Sequence, residues 1–264
     1  MTTAVFDFGG NWKGFLEHVA EDRIHAAEAS LQEWLGLATL ADRSFLDMGS
    51  GSGLFSLAAR RLGAKVHSLD VDRGSVECTR QLKSRYFPSD PRWTIEEGSV
   101  LDAAYLDSLG AFDVVYSWGV LHHTGDLAKA MANAARPVAP GGMLFIAIYN
   151  DQGWVSGYWK AVKRAYNRGR VGRWAMTGLH FPYLVGARFA VRALTGRRRL
   201  ERGMALRHDM VDWLGGYPFE VTRPERVLDF YRARGFTLEK LKTCGGRSGC
   251  NEFVFSKTKE GAAV

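Results

Sequence analysis

A doubly wound α/β architecture is what this sequence predicts, and three observations carry the prediction. Five short apolar runs alternate with segments of helical period between residues 43 and 151, the pattern of βαβ units and a mostly parallel sheet. The first run opens straight into a glycine-rich turn, FLDMGSGSGLF at 45–55. Two more apolar runs near the C-terminus, joined by a second glycine-rich turn, predict an antiparallel edge pair and bring the sheet to seven strands.

The elements follow in order. Residues 12–36 place Phe15, Leu16, Val19, Ile24, Ala27, Leu31 and Leu35 at helical spacing. RSFLDMG (43–49) is a short buried strand, and GLFSLAARRLG (53–63) a helix with Gly63 placed to end it. AKVHSLDVD (64–72) is the second strand; SVECTRQLKSRYF (75–87) is a helix stopped by Pro88. RWTIEEGSVLD (92–102) is a strand and loop, and AFDVVYSWGVLHHTGD (111–126) a strand running into a polar loop. The helix LAKAMANAARPV (127–138) and the strand GGMLFIAIYND (141–151) complete the alternation. PERVLDFYRARG (224–235) is an amphipathic helix, and GFTLEKLK (235–242) and CNEFVFSK (250–257) are the closing strands. The chain divides accordingly into an N-terminal helix and binding core at 1–151, a basic aromatic lid or insert at 152–218, and a C-terminal helix and strand pair at 219–264 that complete the core.

With 264 residues, 46% hydrophobic and 12% aromatic, the chain can bury a large core. Its three cysteines form no C-x-x-C pair, so a zinc or thioredoxin-type site is not expected, and no metal-ligand set is predicted. The first residues lack a basic start followed by an apolar stretch, so the expected setting is cytoplasmic. The net charge of +7 is uneven: residues 154–202 hold twelve Lys and Arg against one acid, a net of +11 that leaves −4 elsewhere. Such asymmetry points to a local anionic partner.

The glycine turn decides the ligand class. A dinucleotide fingerprint, G-x-G-x-x-G, would need glycine where Leu54 stands, and no G-K-[ST] follows. Asp47 lies two residues before Gly49, where a carboxylate would repel a pyrophosphate but suit a ligand carrying a positive amine. Glycines at 49, 51 and 53 still allow close backbone approach.

LDMGSGSG (46–53) resembles motif I of the class I S-adenosylmethionine-dependent methyltransferases, D/E-x-G-x-G-x-G after the first strand. Asp70, about 20 residues beyond the loop, closes the second strand. GSVLD (98–102) resembles the loop after strand three, with Ser99 where many relatives carry an acid. YSWGVLHHTGD (116–126) resembles the strand-four motif of the ubiquinone- and menaquinone-type methyltransferases, and VAPGGMLFIA (138–147) their strand-five entry. The resemblance covers residues 40–150. It implies a Rossmann-like class I fold and S-adenosylmethionine as cofactor, with S-adenosylhomocysteine as product. It also implies cofactor contacts from Asp47, Gly49, Ser50, Gly51 and Gly53, from Asp70 on the ribose hydroxyls, and from Val71 on adenine. Ser99 and Val100 would lie at the adenine edge, and Ser117 and Trp118 at the methionine end. Trp12 would fold over the cofactor from the N-terminal stretch.

Methyl transfer to oxygen or nitrogen needs alignment and a proton acceptor. His123 and His122 follow the fourth strand, where open α/β sheets place ligands; His123 is the expected base and His122 a substrate contact. Asn150 and Asp151 leave strand five at the same edge, and a plain turn is the competing reading of that pair. RHDMVDWLGGYPFEV (207–221) interleaves acids with aromatics beside Gly-Gly, as a substrate-facing lid would; Asp212 is the second catalytic candidate, His208 and Tyr217 substrate contacts.

Three readings of 154–202 stay open: a lid, contact with an anionic membrane surface, and a grip on nucleic acid. The lid is favoured, membrane contact is second, and nucleic acid third. The expected function is methyl transfer to a small-molecule or lipid-like acceptor at oxygen, in the cytoplasm or peripherally on the inner membrane surface. The alternatives are an RNA methyltransferase using the basic insert, and a non-catalytic cofactor-binding interaction protein. The sequence leaves the oligomeric state undetermined.

Overall fold

The computed structural model describes residues 21–182 and 213–259. Its sheet has seven strands in the order β3-β2-β1-β4-β5-β7-β6. The chain runs α1 (Glu21–Leu35), β1 (Ser44–Met48), α2 (Leu54–Arg61), β2 (Lys65–Asp70), α3 (Arg73–Tyr86), β3 (Trp93–Glu97), α4 (Ala103–Ser108) and β4 (Phe112–Trp118). A 3-10 turn (Leu121–His123) follows, then α5 (Leu127–Ala135), β5 (Val138–Tyr149), α6 (Trp154–Tyr166), α7 (Arg170–Phe181), α8 (Pro224–Arg232), β6 (Phe236–Lys242) and β7 (Cys250–Lys257).

Strands β1 to β5 are parallel, and β7 runs antiparallel to both β5 and β6. The expected seven strands and C-terminal edge pair are present. Strand order reverses between β1 and β4, and the crevice outside the strand carboxyl ends at such a point is where open α/β sheets bind ligands.

The central strands are buried on both faces, which explains their nearly unbroken apolar runs. Leu46, Met48, Val115, Ile146 and Phe253 pack one face against α5 and α8. Phe45, Val114, Tyr116, Phe145 and Val254 pack the other against α1, α2 and α3. A third cluster joins Trp159, Val162 and Tyr166 of α6 to Leu214 and Phe219.

Local chemistry moves several boundaries. Asp72 accepts from the Ser75 N–H at 2.7 Å and caps α3 two residues before its expected start. Asp102 does the same for α4, through the Tyr105 N–H at 3.0 Å, a helix in residues to which the sequence reading assigned no element. Val138 belongs to β5 rather than to the preceding helix. Gly63, at φ 102°, ends α2 as expected. The predicted helical residues 12–20 lie outside the described residues.

One ion pair fastens α2 to the loop between α3 and β3, linking the first two βαβ units. Arg60 is 3% exposed. Its Nε and one terminal nitrogen each reach Asp90 Oδ2 at 2.7 Å, and Phe87 covers the guanidinium at 4.9 Å. Asp90→Ala would strand a buried cation, which typically costs about 3–5 kcal/mol. Urea unfolding should show a loss of that order, and adding Arg60→Met should recover much of it. An unchanged midpoint for Asp90→Ala would mean the pair supports nothing.

Candidate active site

The turn after β1 is built from glycines at positive φ: 85° at Gly49, 54° at Gly51 and 79° at Gly53. Two of them also stand where no side chain fits. A Cβ on Gly49 would lie 2.4 Å from Val120 Cγ2, and one on Gly53 2.8 Å from Thr79 Oγ1. The turn is therefore pressed against the β4 exit on one side and α3 on the other.

Four of its amide groups are already occupied. Gly49 and Ser50 N–H donate to the Leu69 carbonyl at 2.8 and 3.0 Å, and Gly53 N–H to the Ser50 carbonyl at 2.8 Å. Gly51 N–H donates to Asp70 Oδ2 at 2.9 Å. A phosphate-cradling loop directs such N–H groups at its anion. Here they hold the protein together, so the loop is not built for a phosphate.

Two carboxylates face this turn region. Asp70 accepts from Gly51 N–H and, through Oδ1, from Asp72 N–H at 2.9 Å. Burial pushes its pKa up and those N–H groups oppose the shift. Each oxygen retains acceptor capacity beyond these bonds. Asp47 is 2% exposed and accepts from Ser56 Oγ at 2.5 Å. Ser56 Oγ lies 2.6 Å from Ser68 Oγ, which in turn accepts from Trp93 Nε1 at 2.9 Å. Burial, the larger cause, and the charge of Asp70 raise the Asp47 pKa to about 7, against the Ser56 hydrogen bonds.

Around them stand the other expected cofactor contacts. Val71, just past β2, is 65% exposed, an apolar surface beside Asp70. Ser99 Oγ accepts from Leu101 N–H at 3.1 Å, and the Val100 carbonyl from Asn133 Nδ2 at 2.8 Å. Ser50 and Ser117 turn their hydroxyls into the protein: Ser50 Oγ lies 3.1 Å from Thr79 Oγ1, and Ser117 Oγ donates to the Met48 carbonyl at 2.9 Å. Gly119, at φ 78°, borders open space where a side chain would project.

Trp118 leads to a residue the sequence reading passed over. Its Nε1 donates to Glu252 Oε2 at 3.3 Å, and Glu252 is only 6% exposed. Glu252 pairs with Ala147 on β5, which pairs with Trp118 on β4, so the three lie side by side on one face. The available signal was an acid inside the otherwise strand-like run NEFVF.

The histidines sit in the 3-10 turn past β4. The Pro218 carbonyl lies 2.7 Å from His123 Nδ1; since a carbonyl only accepts, Nδ1 carries the proton. Burial and then the Lys163 charge lower the His123 pKa to about 4, so near neutral pH the ring is uncharged and its lone pair lies on Nε2. His122 is fully buried and accepts at Nδ1 from the Tyr149 N–H at 3.3 Å. Burial first, then His123 and Lys163, push its pKa well below the ordinary value, so the ring is neutral. The Tyr149 ring lies against His122 at a tilt of 43°, with centroids 3.9 Å apart.

Lys163 was missed as well. It is fully buried on α6, with Nζ donating to the Trp213 carbonyl and lying 4.4 Å from the Trp213 ring centre and 4.9 Å from that of Phe219. Trp159, Val162, Lys163 and Tyr166 form one buried helical stripe, and a lysine on that stripe was the sign.

The remaining candidates are spread along the rim. Asn150 Oδ1 accepts from Asn251 Nδ2 at 3.0 Å. Asp151 Oδ1 accepts from Gly153 N–H at 2.8 Å, the turn chemistry weighed against a substrate role. Tyr217 Oη accepts from Arg164 Nε at 3.3 Å. Trp12, His208 and Asp212 lie outside the described residues.

The raised pKa of Asp47 fixes a pH signature. Below its unfolded value near 3.8, Asp47 is protonated in both states. From there to about 7 the unfolded chain gives up the proton and the folded chain keeps it, so stability falls as pH rises and levels off above about 7. Asp47→Asn should flatten that slope and raise stability at pH 8 by on the order of 4 kcal/mol. Denaturant melts of both proteins across this range check it; parallel curves would refute it.

Residues 46–146 match the family model described as a methyltransferase domain. Ubiquinone biosynthesis O-methyltransferase of Paracidovorax citrulli is 33% identical over 118 residues, 44% of this chain and 48% of the relative. The chain spans about half the length, or less, of the curated relatives it matches. In solved structures the fold resembles magnesium protoporphyrin IX methyltransferase from Synechocystis with bound SAH: TM-score 0.52, 12% identity, 89% of this chain and 82% of that one. It also resembles an O-methyltransferase family protein from Burkholderia thailandensis: TM-score 0.56, 14% identity, 94% and 63%. Residues 46–146 thus carry the sequence pattern of a methyltransferase domain, and the sheet order with the structural matches shows a Rossmann-like fold of the type found in class I methyltransferases.

Proposed function

We propose that this chain transfers a methyl group from S-adenosylmethionine to an acceptor oxygen on a small-molecule or lipid-like compound. The observation that carries the reading is the carboxyl edge of the sheet at β1, β2 and β4, where a glycine turn with bonded amides, two carboxylates and an exposed valine leave the first two strands and a neutral histidine follows the fourth. A ligand with an ammonium group, a ribose diol and a flat base fits that set. Asp47 would take the ammonium, directly or through water, Asp70 the hydroxyls, and Val71 one face of the base. Bound there, the cofactor supplies a sulfonium-activated methyl group for in-line displacement by the acceptor.

The remaining work falls to the protein. His123, its Nδ1–H held by the Pro218 carbonyl, presents Nε2 as the proton acceptor, in the base-and-orienter arrangement of acid–base catalysis. A base with a pKa of about 4 matches poorly to an aliphatic alcohol. It matches better to an acidic hydroxyl, a phenol or an enol, so an acceptor of that kind is the reading we favour.

Asp70→Ala should weaken S-adenosylhomocysteine binding by roughly 1.5–3 kcal/mol, the worth of a charge-assisted hydrogen bond. Unchanged affinity by calorimetry would refute the ribose role. For the reaction, methyl-labelled cofactor is incubated with the protein and an extract of its source cells, and the label is partitioned between organic and aqueous phases. Label in an extractable compound, resistant to base hydrolysis as an ether is, is the expected result; a base-labile methyl ester, or label in RNA or protein, would overturn it. In the same assay His123→Ala should lower labelling by about 10²–10⁴-fold while S-adenosylhomocysteine affinity stays within twofold or so. Retained labelling would place the base elsewhere.

A further inference from the structure

Helices α6 and α7 form a hairpin that leaves the carboxyl end of β5, next to the candidate site. Its inward side is settled by contacts: Met176 packs against the cluster around Trp159, and His180 lies 2.7 Å from Tyr158 Oη and 5.4 Å from the Trp159 ring centre. Its outward side is unusual. Of the eight large apolar side chains exposed among the described residues, six belong to this hairpin. Trp154 is 83% exposed, Val171 83% and Trp174 84%, followed by Leu179, Phe181 and Tyr158. On α7, Val171, Trp174 and Phe181 fall on one stripe, opposite the buried His180. An amphipathic helix in a water-facing setting turns such a stripe inward; α7 turns it out.

The charge around the stripe is of one sign. Residues 153–182 contain no Asp or Glu. Lys160, Arg164, Arg168, Arg170 and Arg173 are exposed, and among the described residues none of the five enters a salt bridge. Exposed tryptophan beside arginine and lysine is the composition of surfaces that settle at a lipid–water boundary, with the rings at headgroup depth and the cations against anionic headgroups. A second copy of the same face would set cations against cations, which disfavours self-association here. No helix of the described residues is long and apolar enough to cross a membrane, so contact would be with the surface only.

We propose that the outer face of the α6–α7 hairpin docks this protein onto an anionic lipid surface. The docking stands independently of the methyl-transfer reading. Combined with that reading, it would set the crevice rim beside the bilayer, where a lipid-dissolved acceptor could enter.

The test is sedimentation of the full chain with phosphatidylcholine vesicles, with and without phosphatidylglycerol. Binding only to the anionic vesicles, reversed by added salt and accompanied by a blue shift of tryptophan emission, is the expected result. Val171→Ser with Trp174→Ser, and separately Arg170→Glu with Arg173→Glu, should each weaken vesicle binding by at least about tenfold. Calorimetry with S-adenosylhomocysteine on the same samples reports the crevice, so loss of cofactor affinity and loss of docking are read apart. If the apolar pair fails to fold, the charge-reversal pair still decides. Absence of binding to anionic vesicles, equal binding by the variants, binding of single-stranded RNA in place of vesicles, or a dimer in solution that buries this face would each overturn the proposal.

Discussion

The hydrogen bond from Gly51 N–H to the Asp70 carboxylate ties the exits of the first two strands together, and the shape of the crevice depends on it. Asp70 also receives Asp72 N–H, and Asp72 caps the helix that follows. One side chain therefore holds the glycine turn, closes β2 and sets the start of α3. Two N–H donors keep the carboxylate tolerable against the desolvation that raises its pKa. Remove it and Gly51 N–H loses its partner at a turn with three positive φ angles, so the turn and the ligand contact would be disturbed together. Gly49 adds the second constraint, since only a glycine lets the turn approach Val120 closely. The fold reaches its binding conformation through backbone bonds that a phosphate-binding loop would leave open to its ligand.

Beneath the turn the protein accepts a tension. Asp47 is enclosed with Ser56, Ser68 and Trp93 in a chain of hydrogen bonds, yet none of these partners carries a positive charge. The site holds the group near the midpoint of its titration instead of fully ionised. A bound ammonium would supply the missing charge, and the proton would leave as it arrived. Stability in the unliganded state is given up where ligand binding can restore it, which is common at functional sites.

How much of this was legible in the sequence follows from the range of each interaction. The glycine turn was readable because positive φ, strand exit and helix entry are all local. The α/β alternation was readable for the same reason. The early start of α3 and the short α4 depend on Asp72 and Asp102 as caps, local signals that were present and not used. Glu252 and Lys163 are different. Each carries only a faint local sign, an acid in an apolar strand or a lysine on an apolar helix stripe, and its role becomes visible only with Trp118 on β4 or with Trp213 some 50 residues away. Pairings that cross the chain at such distances have no periodic signature. His123 was found by its place past β4, but its tautomer depends on Pro218, 95 residues on.

That last pairing changes how the insert should be regarded. Pro218 orients the His123 ring, Lys163 lowers its basicity, and Trp213 and Phe219 cage the lysine. All four come from residues after β5, whereas His123 comes from the core before it. The histidine comes from the segment before β5; burial is the main cause of its neutral state, and the Lys163 charge from after β5 adds to it. Burial first, and then a cation close to two imidazoles, disfavours their charged forms, so neither His122 nor His123 is an acid near neutral pH. An acceptor that enters must then bring the proton to be removed. A displacement of α6 or of the 213–219 segment would change the surroundings of His123 and leave the bonds of the glycine turn in place. On the proposed function, cofactor binding and proton removal would then be governed by separate parts of one chain, joined at the turn after β4.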